Sequence, residues 1–148
     1  GRDEKEAGIA GLLIPDIPVE EEASEHFIKF CKKEGLKNIR VVSPSSTIER
    51  LKRNSVAGDG FVYCTARQGI TGVQKDLDPK LKTFLTKVRV YFKIPIVVGF
   101  GISSKERLNQ IKHYADVAAV GTAVINIINN SSKENLDDNL SSFLKSLM

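Results

Sequence analysis

Long apolar runs are missing from this 148-residue chain. The longest is far too short to cross a bilayer as a helix, so no membrane span is expected. No stretch at the start joins basic residues to an apolar block and a small-residue cleavage site, so no secretory leader is expected either. Cysteine is scarce. Cys31 and Cys64 are the only two, and neither lies in a CxxC or Cys/His spacing. Two reduced structural thiols in a reducing, cytoplasmic compartment are the expectation. The only histidines, His26 and His113, fall on expected helices, so neither catalysis nor a metal is assigned to them. A dominant charge sign is lacking as well. The 22 basic and 18 acidic residues give a net charge of +4. Basic pairs such as Lys32-Lys33 and Lys52-Arg53 are separated by acids and read as solvated helix faces. With no basic stripe interleaved with aromatics, nucleic acid is not an expected partner. Walker, GxSxG, HExxH and EF-hand patterns are all absent. The stretch GFGISS (99–104) falls short of the dinucleotide fingerprint and follows the fourth strand rather than the first, so NAD is not expected.

What is present suits one domain, residues 1–148. The chain is 41% hydrophobic and 27% charged, enough to bury a core and stay in solution. Five short runs read as strands: Ile9–Ile14, Asn38–Val42, Gly60–Thr65, Ile94–Val98 and Val117–Val120. Most are near-continuously apolar, the mark of parallel strands covered on both faces. Helical patterns separate them. Glu20–Glu34 runs from acids to lysines, as the helix dipole favours, with Ala23, Phe27, Phe30 and Cys31 on one face and Gly35 as C-cap. Ser46 with Glu49 fits a capping box for the helix that follows. Pro79–Phe92 carries Leu81, Phe84, Leu85, Val88 and Phe92 on one stripe, with proline in the first turn. Ser103 or Ser104 caps a helix over 105–114. Glu134–Leu147 reads as a docked terminal helix, with Asn129–Ser132 as a hinge before it. Asp3–Ala7 reads as a helical stub. The pattern is α/β, with βα repeated five times. It fits an open doubly wound sheet or part of a (β/α)8 barrel.

In both architectures ligands bind beyond the C-terminal ends of the strands. Three successive ends place glycine there: Gly69 and Gly72 after the third strand, Gly99 and Gly101 after the fourth, Gly121 after the fifth. Glycine lets backbone approach a ligand, and exposed amides at a helix start favour an anion. One such glycine is an ordinary turn. Three in successive units, the last followed by Thr122, point to a phosphate. Phe100, between two glycines, is either core or the wall of an apolar pocket. Tyr63, two residues before its strand ends, faces either the barrel mouth or the helices. Arg67 holds an anion or anchors its own loop. Asp16, between two prolines, is a base or a loop-structuring residue.

These strand ends resemble the tryptophan synthase α subunit family. The resemblance is carried by GLLIPDIPVEE (11–21), VVSPSSTIERL (41–51), GFVYCTARQGITG (60–72), VVGFGIS (97–103) and ADVAAVGTAVINII (115–128), which span nearly the whole chain. It implies a (β/α)8 TIM barrel of which this chain supplies five βα units, the fourth through eighth strands. It implies cleavage of indole-3-glycerol phosphate to indole and glyceraldehyde 3-phosphate, a lyase step in tryptophan biosynthesis, with no metal or organic cofactor and with a β subunit as partner. Carried over by position, backbone amides of Gly72, Phe100, Gly101, Gly121 and Thr122, with the Thr122 hydroxyl, would hold the phosphate. Thr122 stands where serine is common. Phe100 would pack on the indole ring and Tyr63 would face the reacting end. Arg67 and Thr71 would order a loop closing over the site, and Asp16 would lie at the edge facing the β subunit. The family's catalytic glutamate and assisting aspartate have no counterpart between Gly1 and Met148. The expectation is therefore the C-terminal part of such a subunit, inactive alone. A non-catalytic phosphate-binding or partner-binding module is the alternative.

Overall fold

The computed structural model describes residues 8–65, 77–99 and 101–148. Five strands form one parallel sheet: β1 (Gly11–Leu13), β2 (Lys37–Val42), β3 (Val62–Thr65), β4 (Ile96–Gly99) and β5 (Val117–Ala119). Each pairs in parallel with the next in sequence, in the order β1-β2-β3-β4-β5. A doubly wound sheet reverses its strand order at a switch point. This sheet never does, so it is wound in one direction, as in a barrel. Among the described residues no helix is long and apolar enough to cross a membrane.

Helices connect the strands. A 3-10 turn (Val19–Glu21), α1 (Glu22–Glu25) and α2 (Phe27–Glu34) follow β1. Then come α3 (Ile48–Ala57), α4 (Pro79–Tyr91) and α5 (Lys105–Ile111), with α6 (Thr122–Asn130) and α7 (Leu136–Leu147) after β5. The expected single helix over Glu20–Glu34 is broken at His26, which takes a left-handed conformation with φ 51°. The break is stabilised by Glu22. Its two carboxylate oxygens accept hydrogen bonds from the Ile28 and Lys29 amides at 2.8 and 3.0 Å, doing for α2 what an N-cap side chain does. Phe27 and Cys31 are buried below this break, whereas Ala23, expected on the same face, is exposed. Gly35 ends α2 as expected, in the left-handed region that a C-cap glycine provides.

The cap of α3 is Thr47 rather than Ser46. Thr47 accepts from the Arg50 amide at 3.2 Å, while Ser46 accepts from the Ser43 amide. Asp78 caps α4 just before Pro79, and Ser104 caps α5. The main core lies between one face of the sheet and the helices. Val42, Val62, Cys64, Ile96 and Val98 pack there on Leu51, Leu85, Val88 and Phe92. The opposite face carries Leu13, Ile39, Val41, Tyr63, Val97 and Val117, fixed by register. Most of these stay half-buried or exposed, which is why only one face of the sheet is fully covered. The expected stub at Asp3–Ala7 lies outside the described residues.

Candidate functional site

Tyr63 stands on the open face of the sheet, aligned with Val41 on one side and Val97 on the other. Of the two directions open to it from sequence, the structure takes the one away from the helices. Its ring leans along the strand toward Gly99. A Cβ built on Gly99 would overlap the Tyr63 hydroxyl and lie 2.7 Å from Cζ. Gly99 is the register partner of Thr65, two residues beyond Tyr63. The phenol therefore reaches about 6–7 Å toward the C-terminal end of the sheet, where ligands of such folds bind.

Two residues beyond Gly99, Gly101 has φ 45°, a conformation glycine adopts without strain. Ile102 then turns inward and is buried, and Ser104 starts α5. On the next strand, β5 ends and Gly121 opens α6. Glycine offers no side chain to cap that helix, so its N-cap contributes no side-chain acceptor to the first turn. The first-turn amides and the aligned peptide dipoles there favour an anion. Gly121 also has open space where a side chain would go, since nothing lies within 4 Å of a Cβ built on it. Neither crowding nor a positive φ demands glycine at this position.

Residues from both segments line one cleft. Gly101, Ile102, Ser103, Thr122, Ala123, Asn126, Ile127 and Phe143 line a cavity of about 320 Å³. Ser103 and Thr122 bring hydroxyls to this lining, and Ile102, Ala123, Ile127 and Phe143 make the rest of it largely apolar. A pattern of this kind recurs in (β/α)8 barrels. Phosphate sits between the loops after the last two strands and the N-terminus of a short extra helix. Here two helices follow β5, and α6 is the extra one. The sequence pattern leads only to a Gly-Thr-Ala loop at this point, so α6 itself, with Asn126 and Ile127, is a finding of the structure. Its signal in the sequence is the largely apolar run AVINII (123–128) immediately after Gly121-Thr122. Phe143 belongs to the apolar stripe expected for the terminal helix.

Tyr63, Gly101, Gly121 and Thr122 thus stand toward the C-terminal side of β3, β4 and β5; Gly101 and Thr122 line the cleft, and Gly121 directly precedes Thr122. Arg67, Thr71, Gly72 and Phe100 lie outside the described residues. Asp16 is exposed in the loop after β1, away from the residues lining the cleft. Cys64 points the other way, into the core, where burial pushes its thiol up to about 12. Among the described residues no group of three His, Cys, Asp or Glu side chains is gathered as a metal would need.

Comparison with known proteins adds the following. A family model described as tryptophan synthase alpha chain matches residues 2–146. The tryptophan synthase alpha chain of Methanocaldococcus jannaschii is 39% identical over 135 residues, covering 91% of this chain and 46% of that relative. That of Petrotoga mobilis is 39% identical over 142 residues, covering 95% and 54%. Among solved structures, one of the tryptophan synthase a2b2 complex of Pyrococcus furiosus matches with a TM-score of 0.84 at 26% identity, covering 98% of this chain and 56% of that chain. The chain spans about half the length of the curated relatives it matches.

Proposed function

Because the chain belongs to the tryptophan synthase alpha chain family, we propose that it forms the phosphate-holding half of an active site that cleaves indole-3-glycerol phosphate. The observation that carries this reading is the cleft at Gly101, Ser103 and Thr122, opened by a helix whose N-cap glycine leaves room for a ligand. In this reading the amides of Gly72, Phe100, Gly101, Gly121 and Thr122, with the Thr122 hydroxyl, hold the phosphate. Phe100 packs on the indole ring. Tyr63 faces the reacting end, and Arg67 and Thr71 order the loop that closes over it.

The reaction is a retro-aldol cleavage. A proton is added at indole C3 and another is removed from the neighbouring glycerol hydroxyl. The C–C bond between them breaks, its electron pair returns to the ring system, and the hydroxyl carbon becomes the aldehyde of glyceraldehyde 3-phosphate. Carboxylates of tuned pKa do such proton transfers. The described strand ends offer Asp16 alone, on an exposed loop. These 148 residues therefore bind the ester without turning it over, and the acid–base pair comes from outside them. The partner is a tryptophan synthase β chain, as in the a2b2 complex of Pyrococcus furiosus, and the compartment is the cytoplasm.

The test is direct. Indole release from indole-3-glycerol phosphate is measured for the native-length polypeptide and for the 148-residue chain, beside calorimetric binding of glycerol 3-phosphate to each. Both should bind, and only the native-length protein should release indole. Turnover by the 148 residues would overturn the placement of the proton-transfer groups. Failure of either to bind the ester would overturn the site. Binding without turnover by the native-length protein would favour a non-catalytic phosphate-binding module.

A further inference from the structure

Arg40 lies in the middle of β2, with its side chain on the helix-facing side beside Asn38 and Val42, and it is only 4% exposed. A buried cation ordinarily pairs with a carboxylate. Arg40 instead donates to three neutral oxygens. Its Nε reaches Asn54 Oδ1 at 2.9 Å, Nη1 reaches Asn38 Oδ1 at 3.4 Å, and Nη2 reaches the Ile17 carbonyl at 3.1 Å. Those oxygens belong to α3, to β2 itself and to the loop after β1.

Both asparagines are held in turn. Asn54 Nδ2 donates to the Arg50 carbonyl at 2.8 Å and Asn38 Nδ2 to the Ala57 carbonyl at 2.9 Å. Their amide oxygens are thereby aimed at the guanidinium. The anchored end of this cluster is the β2–α3 unit, and what it grips in the loop is Ile17. Ile17 directly follows Asp16, and prolines flank the pair at 15 and 18. The 3-10 turn that comes next is tied to α3 by the Glu20–Arg50 ion pair at 3.9 Å. So the loop that displays Asp16 on the rim is clamped by the neighbouring βα unit.

We propose that Arg40 is the positioning residue of the Asp16 loop: by holding the Ile17 carbonyl it sets where the Asp16 carboxylate stands on the rim, and thereby how tightly the partner subunit docks there. The docking half of this statement rests on the β-chain partner proposed above; the clamp does not. A single ammonium cannot span Asn54 and Ile17 as the guanidinium fork does, so lysine should fail in the role although it keeps the charge.

The experiment uses the native-length polypeptide with Arg40→Met, Arg40→Lys, Asp16→Asn and the Arg40→Lys/Asp16→Asn pair. Amide hydrogen exchange is read at Asp16, Ile17 and Val19 against Leu85 and Val88, beside affinity for purified β chain. Exchange at the three loop amides should rise by about tenfold in both Arg40 variants while the α4 amides hold, which is local opening rather than global loss. Affinity should fall by a similar factor, and the double variant should bind no worse than the weaker single one. Exchange rising equally in loop and core would make Arg40 an ordinary structural residue and overturn the proposal, as would additive losses in the pair. If wild-type protein does not bind the β chain, the partner reading fails, and the exchange data still decide the clamp. Should Arg40→Met not fold, the lysine variant alone carries the test.

Discussion

The Tyr63 phenol occupies the space that a side chain on Gly99 would need. The two residues sit on adjacent strands, on the open face of the sheet, one layer apart. The glycine is thus the condition for the tyrosine's reach toward the cleft. Gly99→Ala should push the ring aside, with a loss of about 1–3 kcal/mol in stability and, under the proposed function, a larger effect on ester binding than the distance from the proposed phosphate site alone would give. Tyr63→Leu removes the clashing atoms. The Gly99→Ala/Tyr63→Leu pair should therefore be more stable than the sum of the single variants implies, by about 1 kcal/mol. Urea unfolding of the four proteins measures this, and strict additivity would show that the ring has room to move.

All five strands are visible in the sequence because most are apolar runs between turn signals, and even β2, with Asn38 and Arg40 in it, ends in Val41-Val42. Which face each strand shows to the helices is not visible. A period of two separates Tyr63 from Val62 and Cys64 without saying which set is inside, and only the packing of α3 and α4 decides it. The break at His26 is hidden for a similar reason. Residues 20–34 have helical composition throughout, and the carboxylate of Glu22 restarts the helix from six residues away. The site was half legible. Gly101, Gly121 and Thr122 stand out as residues at strand ends, but α6, which converts Gly121-Thr122 from a turn into an anion-ready helix start, is seen only once its amides are placed.

Gly121→Asp separates fold from binding. A Cβ there meets nothing within 4 Å. An aspartate at a helix start suits both the cap position and the dipole. Thermal stability should hold or rise slightly. The same carboxylate would occupy and repel the proposed phosphate position, so binding of glycerol 3-phosphate should weaken by about tenfold or more. Calorimetry and thermal melts on one preparation check both halves. Retained binding with unchanged stability would place the anion site elsewhere.

At the opposite end of the strands, Asp116 Oδ2 accepts from the Ile96 amide at 2.7 Å and from Arg89 at 2.8 Å. The backbone hydrogen bond first, and Arg89 second among the favourable contacts, hold its carboxyl below the usual carboxylate range. The folded value is thus lower than the unfolded one, near 3.9. The stabilisation is complete above about pH 4 and is lost as pH falls through the folded value. Asp116→Asn should cost about 0.5–1 kcal/mol at neutral pH, the small end because the pair is 45% exposed on both sides and screened. The gap between variant and wild type should narrow as pH falls below the unfolded value and through the folded one. Melting temperatures across pH 2–7 test this, and a gap independent of pH would remove the carboxylate's charge from the account.

Cys64 and Cys31 are both fully buried, and burial raises both thiols, Cys64 to about 12. Thiolate is the reactive form, so at pH 8 about one Cys64 in ten thousand is reactive even before access is considered. In the folded protein neither cysteine should react with a maleimide over minutes. Both should react at once in denaturant. Cys64 packs between Val42 and Val98 on the helix side of the sheet. Cys64→Ser would put a hydroxyl there without a partner, at about 1–3 kcal/mol, whereas Cys64→Ala loses only packing and should cost less. The order of the two variants in urea unfolding is the discriminating result. A serine variant as stable as the alanine one would mean that water or a polar group reaches this layer, and rapid labelling of the folded wild type would say the same by an independent route.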